Sequence, residues 1–243
     1  MKIIREIQTY WDARAAGFSA ASEEELKNEP GTRVQQLFET RLAPPPGRVL
    51  DCGAGAGFFS VLLAKLGYTV DAVDYCSEML KKANANLTFR GLGASFAQMD
   101  AQALAYTDGV FDAIVTRNLI WNLENPEKVY SEFARLLKPG GVLLVEDGNY
   151  YLYLLDANYA ALMQPEKHTT CSGGCHGRHN VDNVDFSIME NIALGLPLSG
   201  IRRPQWDFDQ LTGLGFSRVN VEIGYRENGT EKLPVRFLIT AEK

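Results

Sequence analysis

The sequence predicts an α/β fold, a doubly wound, seven-stranded and mostly parallel sheet with a C-terminal antiparallel hairpin and a lid insertion. Three observations predict it. From residue 48 to 148, short apolar runs alternate with segments of helical apolar spacing, the pattern of a parallel sheet with crossover helices on both faces. The last two apolar runs, SRVNVEIGY (217–225) and VRFLITAEK (235–243), are joined by the short polar loop ENGTEKLP, which favours a hairpin over a crossover. Between these parts the alternation fails over 149–205. NYYLYLLDANYAALM (149–163) is too aromatic for disorder and DFSIMENIAL (185–194) has helical spacing, so a folded lid is expected.

The elements follow in order. Residues 2–18 form a predicted helix carrying the aromatics Tyr10, Trp11 and Phe18, and a second helix is predicted over 22–42 with Ser22 as its N-cap. APPPG (43–47) stops it before the buried strand RVLDC (48–52). A helix over 57–67, a strand over 68–74 and a helix over 76–87 come next. Strands are predicted over 94–100, 110–117 and 142–148, with a helix over 125–141 that starts at a proline and ends at Pro139-Gly140-Gly141. A last helix, WDFDQLTGLGF (206–216), precedes the hairpin.

Bulk properties narrow the function. The 243 residues are 46% hydrophobic and 22% charged, with net charge −6, which excludes a basic face for nucleic acid or an anionic membrane. No apolar run approaches the roughly 20 residues of a membrane span. The N-terminal stretch lacks a signal-peptide core, and the 4 cysteines then read as reduced thiols of a cytoplasmic protein.

The stretch VLDCGAGAGFFS (49–60) sets Gly53, Gly55 and Gly57 between a strand and a helix, where open α/β sheets bind ligands. A dinucleotide fingerprint needs a third glycine at position 58, which is Phe58 here. An acid, Asp51, precedes the loop; it would repel a pyrophosphate but attract the ammonium of a methionine moiety. The next strand ends in Asp74, suited to both hydroxyls of an unphosphorylated ribose or to capping the following helix. The third ends near Asp100 and Ala101, placed to read an adenine edge.

These residues resemble the class I S-adenosylmethionine-dependent methyltransferases, in particular the small-molecule group that includes the ubiquinone-biosynthesis type. The likeness is dense over 48–148, in VLDCGAGAGFFS, VDAVDYCSEML, MDAQALAYTDGVFDAIVTRN and RLLKPGGVLLVED. It implies a Rossmann-like methyltransferase fold, S-adenosyl-L-methionine as cofactor and S-adenosyl-L-homocysteine as product. Asp51, Gly53, Ala54, Gly55 and Gly57 would surround the methionine half, Asp74 the ribose, and Tyr75 and Met79 the adenine, with Asp100 and Ala101 at its edge. Asn118 would contribute near the methionine. Apart from the resemblance, Tyr10, Trp11 and Phe18 read either as plain packing residues or as a cluster that closes over the cofactor. Cys76 stands where the group usually has a helix-capping serine. The chain then divides into an N-terminal helical cover (1–47), a cofactor-binding core (48–148), a substrate lid (149–205) and a C-terminal helix with hairpin (206–243).

The expected reaction is methyl transfer to a small-molecule acceptor by in-line displacement. The rivals are a non-catalytic cofactor or metal sensor and an NAD-dependent oxidoreductase, and the chain is expected as a monomer or homodimer. Acceptor contacts are sought in Trp121, Tyr150, Tyr151, Arg202 and Arg203; Trp121 suits either a pocket wall or the core, and the two arginines suit either a substrate carboxylate or lid-anchoring ion pairs. HTTCSGGCHGRHN (168–180) holds all 3 histidines. It reads as a polar lid tip, as a source of a general base (His176 or His179), or as a zinc-type site from Cys171, Cys175, His176, His179 and His168.

Overall fold

A computed structural model describes residues 2–162, 183–229 and 231–243. Seven strands form one sheet: β1 (Arg48–Cys52), β2 (Thr69–Asp74), β3 (Ser95–Gln98), β4 (Phe111–Arg117), β5 (Leu137–Gly148), β6 (Ser217–Glu227) and β7 (Lys232–Glu242). Their order is β3-β2-β1-β4-β5-β7-β6. The first five strands are parallel, and β7 runs antiparallel between β5 and β6. The predicted hairpin is thus present, with its hydrogen bonding carried two or three residues closer to the turn than the sequence indicated.

Strand alternation divides the core between the two faces of the sheet. Leu50, Ile114 and Leu143 point to one side, where Tyr130, Phe133 and Leu211 cover them. These come from the helices α5 (Pro126–Leu136) and α8 (Gln205–Gly213). Their neighbours Val49, Ala113, Val115 and Leu144 point the other way, onto Phe38, Phe59 and Leu63. Those belong to α2 (Glu29–Arg41) and α3 (Phe58–Leu66). The helix α4 (Ser77–Phe89) connects β2 to β3.

The N-terminal region departs from the expected two helices split near residue 20. α1 runs unbroken over Lys2–Lys27, and α2 begins only at Glu29. Nothing in Ser19-Ala20-Ala21-Ser22 opposes a helix, and alanine favours one. The break falls instead at Asn28, whose backbone is extended, with Pro30 in the first turn of α2 where its missing N–H costs nothing. Ser22, the expected cap, is buried inside α1. A second departure concerns β5, which starts at Leu137 beside Phe111 and resumes regular pairing with β4 at Val142 after an irregular Pro139–Gly141 stretch.

The described parts of 149–205 include a 3₁₀ turn (Leu152–Leu154), α6 (Ala157–Leu162) and α7 (Ser187–Ala193). Met189 and Ile192 of α7 join Ile7 and Tyr10 of α1, Trp121 and Tyr151 in one apolar cluster. That cluster fixes α1 and the inserted segment over the carboxyl ends of the parallel strands. Among the described residues no helix is long and apolar enough to cross a membrane.

Candidate functional site

The ends of β1, β2, β3 and β4 converge on one cleft, with about 1020 Å³ of empty space, open solvent at its mouth included. Gly53 and Gly55 line it after β1, Asp74 and Tyr75 after β2, Asp100 and Ala101 after β3, and Asn118 and Trp121 after β4. Trp11 and Phe18 of α1 cover it, and Met79 and Tyr150 complete the wall. Its lining, mostly apolar with a few convergent polar groups, is that of a small-molecule site.

The glycine loop is shaped by its backbone. The amides of Gly53 and Ala54 both donate to the Val73 carbonyl, at 2.9 and 3.0 Å, which straps the loop to β2. Gly55 has a φ of +52°, and a Cβ there would lie 3.0 Å from Phe18 Cε1, so only glycine lets α1 close on the loop. Gly57 is the N-cap of α3 at φ +86°, and a Cβ would meet Ala83 at 3.0 Å. Its task is the approach of α3 to α4, away from the cleft.

Asp74 ties the loop to the next strand. One carboxylate oxygen accepts the Gly55 amide and the other accepts the Cys76 amide, both at 2.8 Å. Burial pushes this carboxyl above its ordinary range while the two amides pull it back. Each oxygen keeps a second lone pair for a ligand hydroxyl. The missing serine at 76 is compensated from another element: Cys76 makes no side-chain capping bond, and Asp12 of α1 accepts the Glu78 amide in the first turn of α4 at 3.1 Å. Asp100 is oriented by the backbone amide of Gln102 at 2.9 Å.

On the other side, Asn118 sits at φ +57°, a sparsely populated conformation for a non-glycine residue. Its amide donates to the Glu146 carbonyl at 2.8 Å, and its side-chain oxygen accepts the Tyr150 hydroxyl. Trp121 packs on Tyr150 and Tyr151, with ring centroids 5.8 and 4.9 Å away. Trp121 Nε1 and Asn122 Oδ1 are buried and have no hydrogen-bond partner among the described residues, and both residues belong to the cleft lining. A buried donor and a buried acceptor left unpaired cost about 1–3 kcal/mol each. A polar ligand would recover that cost.

Several expected site residues stand elsewhere. Asp51 shares the Val49 face of β1 and turns to α3, where the Ser60 hydroxyl donates to it at 2.6 Å. Burial pushes its carboxyl up to about 7, against the opposing effect of Ser60. The folded chain therefore holds this proton more tightly than the unfolded one; stability from Asp51 is full below about pH 4 and is lost as pH rises towards 7. Asp51→Asn should gain stability relative to the parent between about pH 5 and pH 8. Thermal unfolding at the two pH values checks this, and a constant difference would contradict it. Ala54 and Gly57 belong to the loop without lining the cleft.

Tyr10 and Tyr151 pack behind the lining residues Trp11 and Trp121. Arg202 and Arg203 do not reach the cleft. Arg202 pairs near the surface with Asp156 at 2.7 Å and Glu231 at 3.0 Å. Arg203 is buried between Asp147, at 2.7 Å, and Asp207, at 2.8 Å, so the lid-anchoring alternative describes it. His168, Cys171, Cys175, His176 and His179 lie outside the described residues. Among the described residues no group of three or more His, Cys, Asp or Glu could hold a metal. Sequence reasoning missed Arg117, Asn122 and Gln102 as lining residues. Arg117 and Asn122 flank positions it did select: Arg117 ends β4 beside Asn118, and Asn122 follows Trp121 in the 3₁₀ turn after that strand.

Comparisons with known proteins agree with this geometry. Residues 50–145 match the family described as Methyltransferase domain. The chain is 32% identical over 137 residues to a ubiquinone biosynthesis O-methyltransferase of Xanthomonas axonopodis pv. citri, covering 54% of this chain and 57% of that one. It is 32% identical over 148 residues to a ubiquinone/menaquinone biosynthesis C-methyltransferase of Bdellovibrio bacteriovorus, covering 58% and 63%. The matched stretch thus spans less than two thirds of either relative. Among solved structures, an S-adenosylmethionine-dependent methyltransferase from Methanosarcina mazei superposes with a TM-score of 0.57 at 21% identity, covering 85% of this chain and 96% of that one. Phosphoethanolamine N-methyltransferase 2 of Haemonchus contortus, in complex with S-adenosyl-L-methionine, superposes with a TM-score of 0.59 at 17% identity, covering 88% and 53%. Likeness at these identities shows the fold alone.

Proposed function

We propose, from the methyltransferase-domain match over residues 50–145 and the cleft described above, that the chain is a class I methyltransferase that transfers the methyl group of S-adenosyl-L-methionine to a small-molecule acceptor. The observation that carries this reading is the Asp74 carboxylate, fixed by the Gly55 and Cys76 amides at the centre of a cleft that Asp100 and Ala101 also line. Acids at two successive strand ends suit ribose hydroxyls and an adenine amino group, and they disfavour a pyrophosphate. Gly53, Gly55, Asp74, Tyr75, Met79, Asp100, Ala101, Asn118 and Trp11 would hold the cofactor.

The bound cofactor supplies a methyl group on a sulfonium, an activated leaving group. What is left to this chain is alignment of the acceptor and exclusion of water. Trp11 and Phe18 cover one side of the cleft, and Trp121 and Tyr150 wall the other. The Trp121 Nε1–H can donate to the acceptor and Asn122 Oδ1 can accept from it, satisfying both buried atoms.

The relatives and structural neighbours include O-, C- and N-methyltransferases, so the test is a panel. The protein is incubated with methyl-labelled S-adenosylmethionine and with phenols, amines, thiols and activated carbon acids. The expected result is label in at least one acceptor with stoichiometric S-adenosylhomocysteine. Cofactor binding without transfer to any member would support the sensor instead, and NAD binding in its place would support the oxidoreductase.

A further inference from the structure

Resting on that reading, we propose that Gln102 and Asn125 are positioning residues that make the cleft select adenine over other purines. Adenine presents a donor, its amino group, beside a ring nitrogen that only accepts, and hypoxanthine presents the reverse. A site that tells them apart has to hold an acceptor in one fixed orientation. Asp100, just past the end of β3, supplies the acceptor. Its Oδ1 accepts the Gln102 backbone amide at 2.9 Å and the Gln102 side-chain NH₂ at 3.0 Å, while Oδ2 lies 3.3 Å from the same NH₂. Oδ1 is thereby filled, and Oδ2 keeps lone-pair capacity for the base.

Chemistry dictates the direction of each donor in this series. An ionised carboxylate only accepts, so Gln102 turns its NH₂ to Asp100 and its Oε1 away. Asn125 Nδ2 donates to that Oε1 at 2.9 Å. Asn125 occupies the N-cap position of α5, where asparagine ordinarily bonds the first turn of its own helix, yet it makes no side-chain capping bond. Its side chain serves the residue that orients Asp100 instead. The terminal torsions of Asp and Gln side chains are broad and roughly two-fold, so without the Asn125 bond both groups sample other orientations. The backbone after Gln102 is held separately. Glu132 of α5 accepts the Leu104 amide at 2.8 Å, and Arg135 donates to the Leu104 and Tyr106 carbonyls at 2.9 and 2.8 Å. A change confined to the Gln102 or Asn125 side chain therefore removes the orientation of Asp100 and leaves the loop in place. Asp100, Ala101 and Gln102 line the cleft, and so does Glu124, a second carboxylate and the rival acceptor for the amino group.

Calorimetric titration with S-adenosylhomocysteine, its inosine counterpart and its 6-deamino purine counterpart tests the assignment. The parent chain should bind the adenine ligand about 10- to 100-fold more tightly than either of the others, the range of one hydrogen bond to a charged group. Gln102→Leu should remove most of that preference: affinity for the adenine ligand falls, while the deamino ligand binds as before. Asn125→Asp keeps the size and reverses the polarity, so it repels Gln102 Oε1, turns that amide over and should lose the preference to a similar extent. It carries the test should the leucine variant fail to fold. Equal losses for all three ligands, the result of a purely structural role, would overturn the proposal. So would a parent that does not distinguish the ligands, or an undiminished preference in both variants. A preference abolished by Glu124→Gln but kept by Gln102→Leu would assign the amino group to Glu124, with the same consequence. A parent that binds none of the three would instead sink the methyltransferase reading on which the proposal rests.

Discussion

Asp74→Ala is expected to weaken S-adenosylhomocysteine binding at least about 100-fold while the fold persists. The carboxylate has two tasks. It accepts the Gly55 and Cys76 amides, which fixes the glycine loop against the start of α4, and its remaining lone pairs face the cleft. Removing it leaves two amides to find other partners and takes away the ribose acceptors, and each lost bond to a charged group is worth about 1.5–3 kcal/mol. Asp74→Asn keeps one acceptor oxygen but turns an NH₂ group towards an amide N–H, so it should fall between the two. Titration calorimetry gives the affinities, and circular dichroism confirms that the variants fold. Binding by Asp74→Ala within a few-fold of the parent would contradict the assignment.

Arg203→Met is expected to be the most damaging change away from the cleft. Arg203, Asp147 and Asp207 are each about 1% exposed or less, and Tyr130 donates to Asp207 at 2.6 Å inside the same cluster. Removing the cation leaves two carboxylates buried together without compensation. Breaking such a pair costs about 3–5 kcal/mol. For a chain of this size that is on the order of 10 °C in Tm. Asp147 also accepts the Trp121 amide at 3.1 Å, so the damage should reach the acceptor wall. Arg203→Lys should recover only part, since an ammonium cannot reproduce contacts from Nε, Nη1 and Nη2. Thermal unfolding measures both variants. A loss below about 1 kcal/mol would mean that the cluster contributes little.

The parallel core was legible because each strand is short, apolar and followed at once by residues with an evident task. Asp74 and Asp100 could be assigned because a strand end leaves little choice about which edge of the sheet they reach. Asp51 shows the limit of that reasoning. It is one residue inside β1 rather than past its end, so the two-residue period sends it to the Val49 face and to Ser60. Arg203 was ambiguous for a different reason: Asp147, 56 residues away, becomes its neighbour only once β5 and α8 pack. The continuity of α1 through residue 27 could have been read from the absence of any breaker before Asn28 and Pro30. Arg117 was passed over because motif reasoning stopped at Asn118, and a strand-terminal arginine carries no pattern of its own.

The central claim is that the cleft is built for S-adenosylmethionine, and equilibrium binding to the parent protein tests it most directly. Trp11 and Trp121 both line the cleft, so intrinsic fluorescence can follow the titration alongside calorimetry. The account predicts one equivalent of S-adenosylhomocysteine bound, a change in tryptophan emission, and no competition from NAD. Absence of binding, or displacement of S-adenosylhomocysteine by NAD, would contradict it.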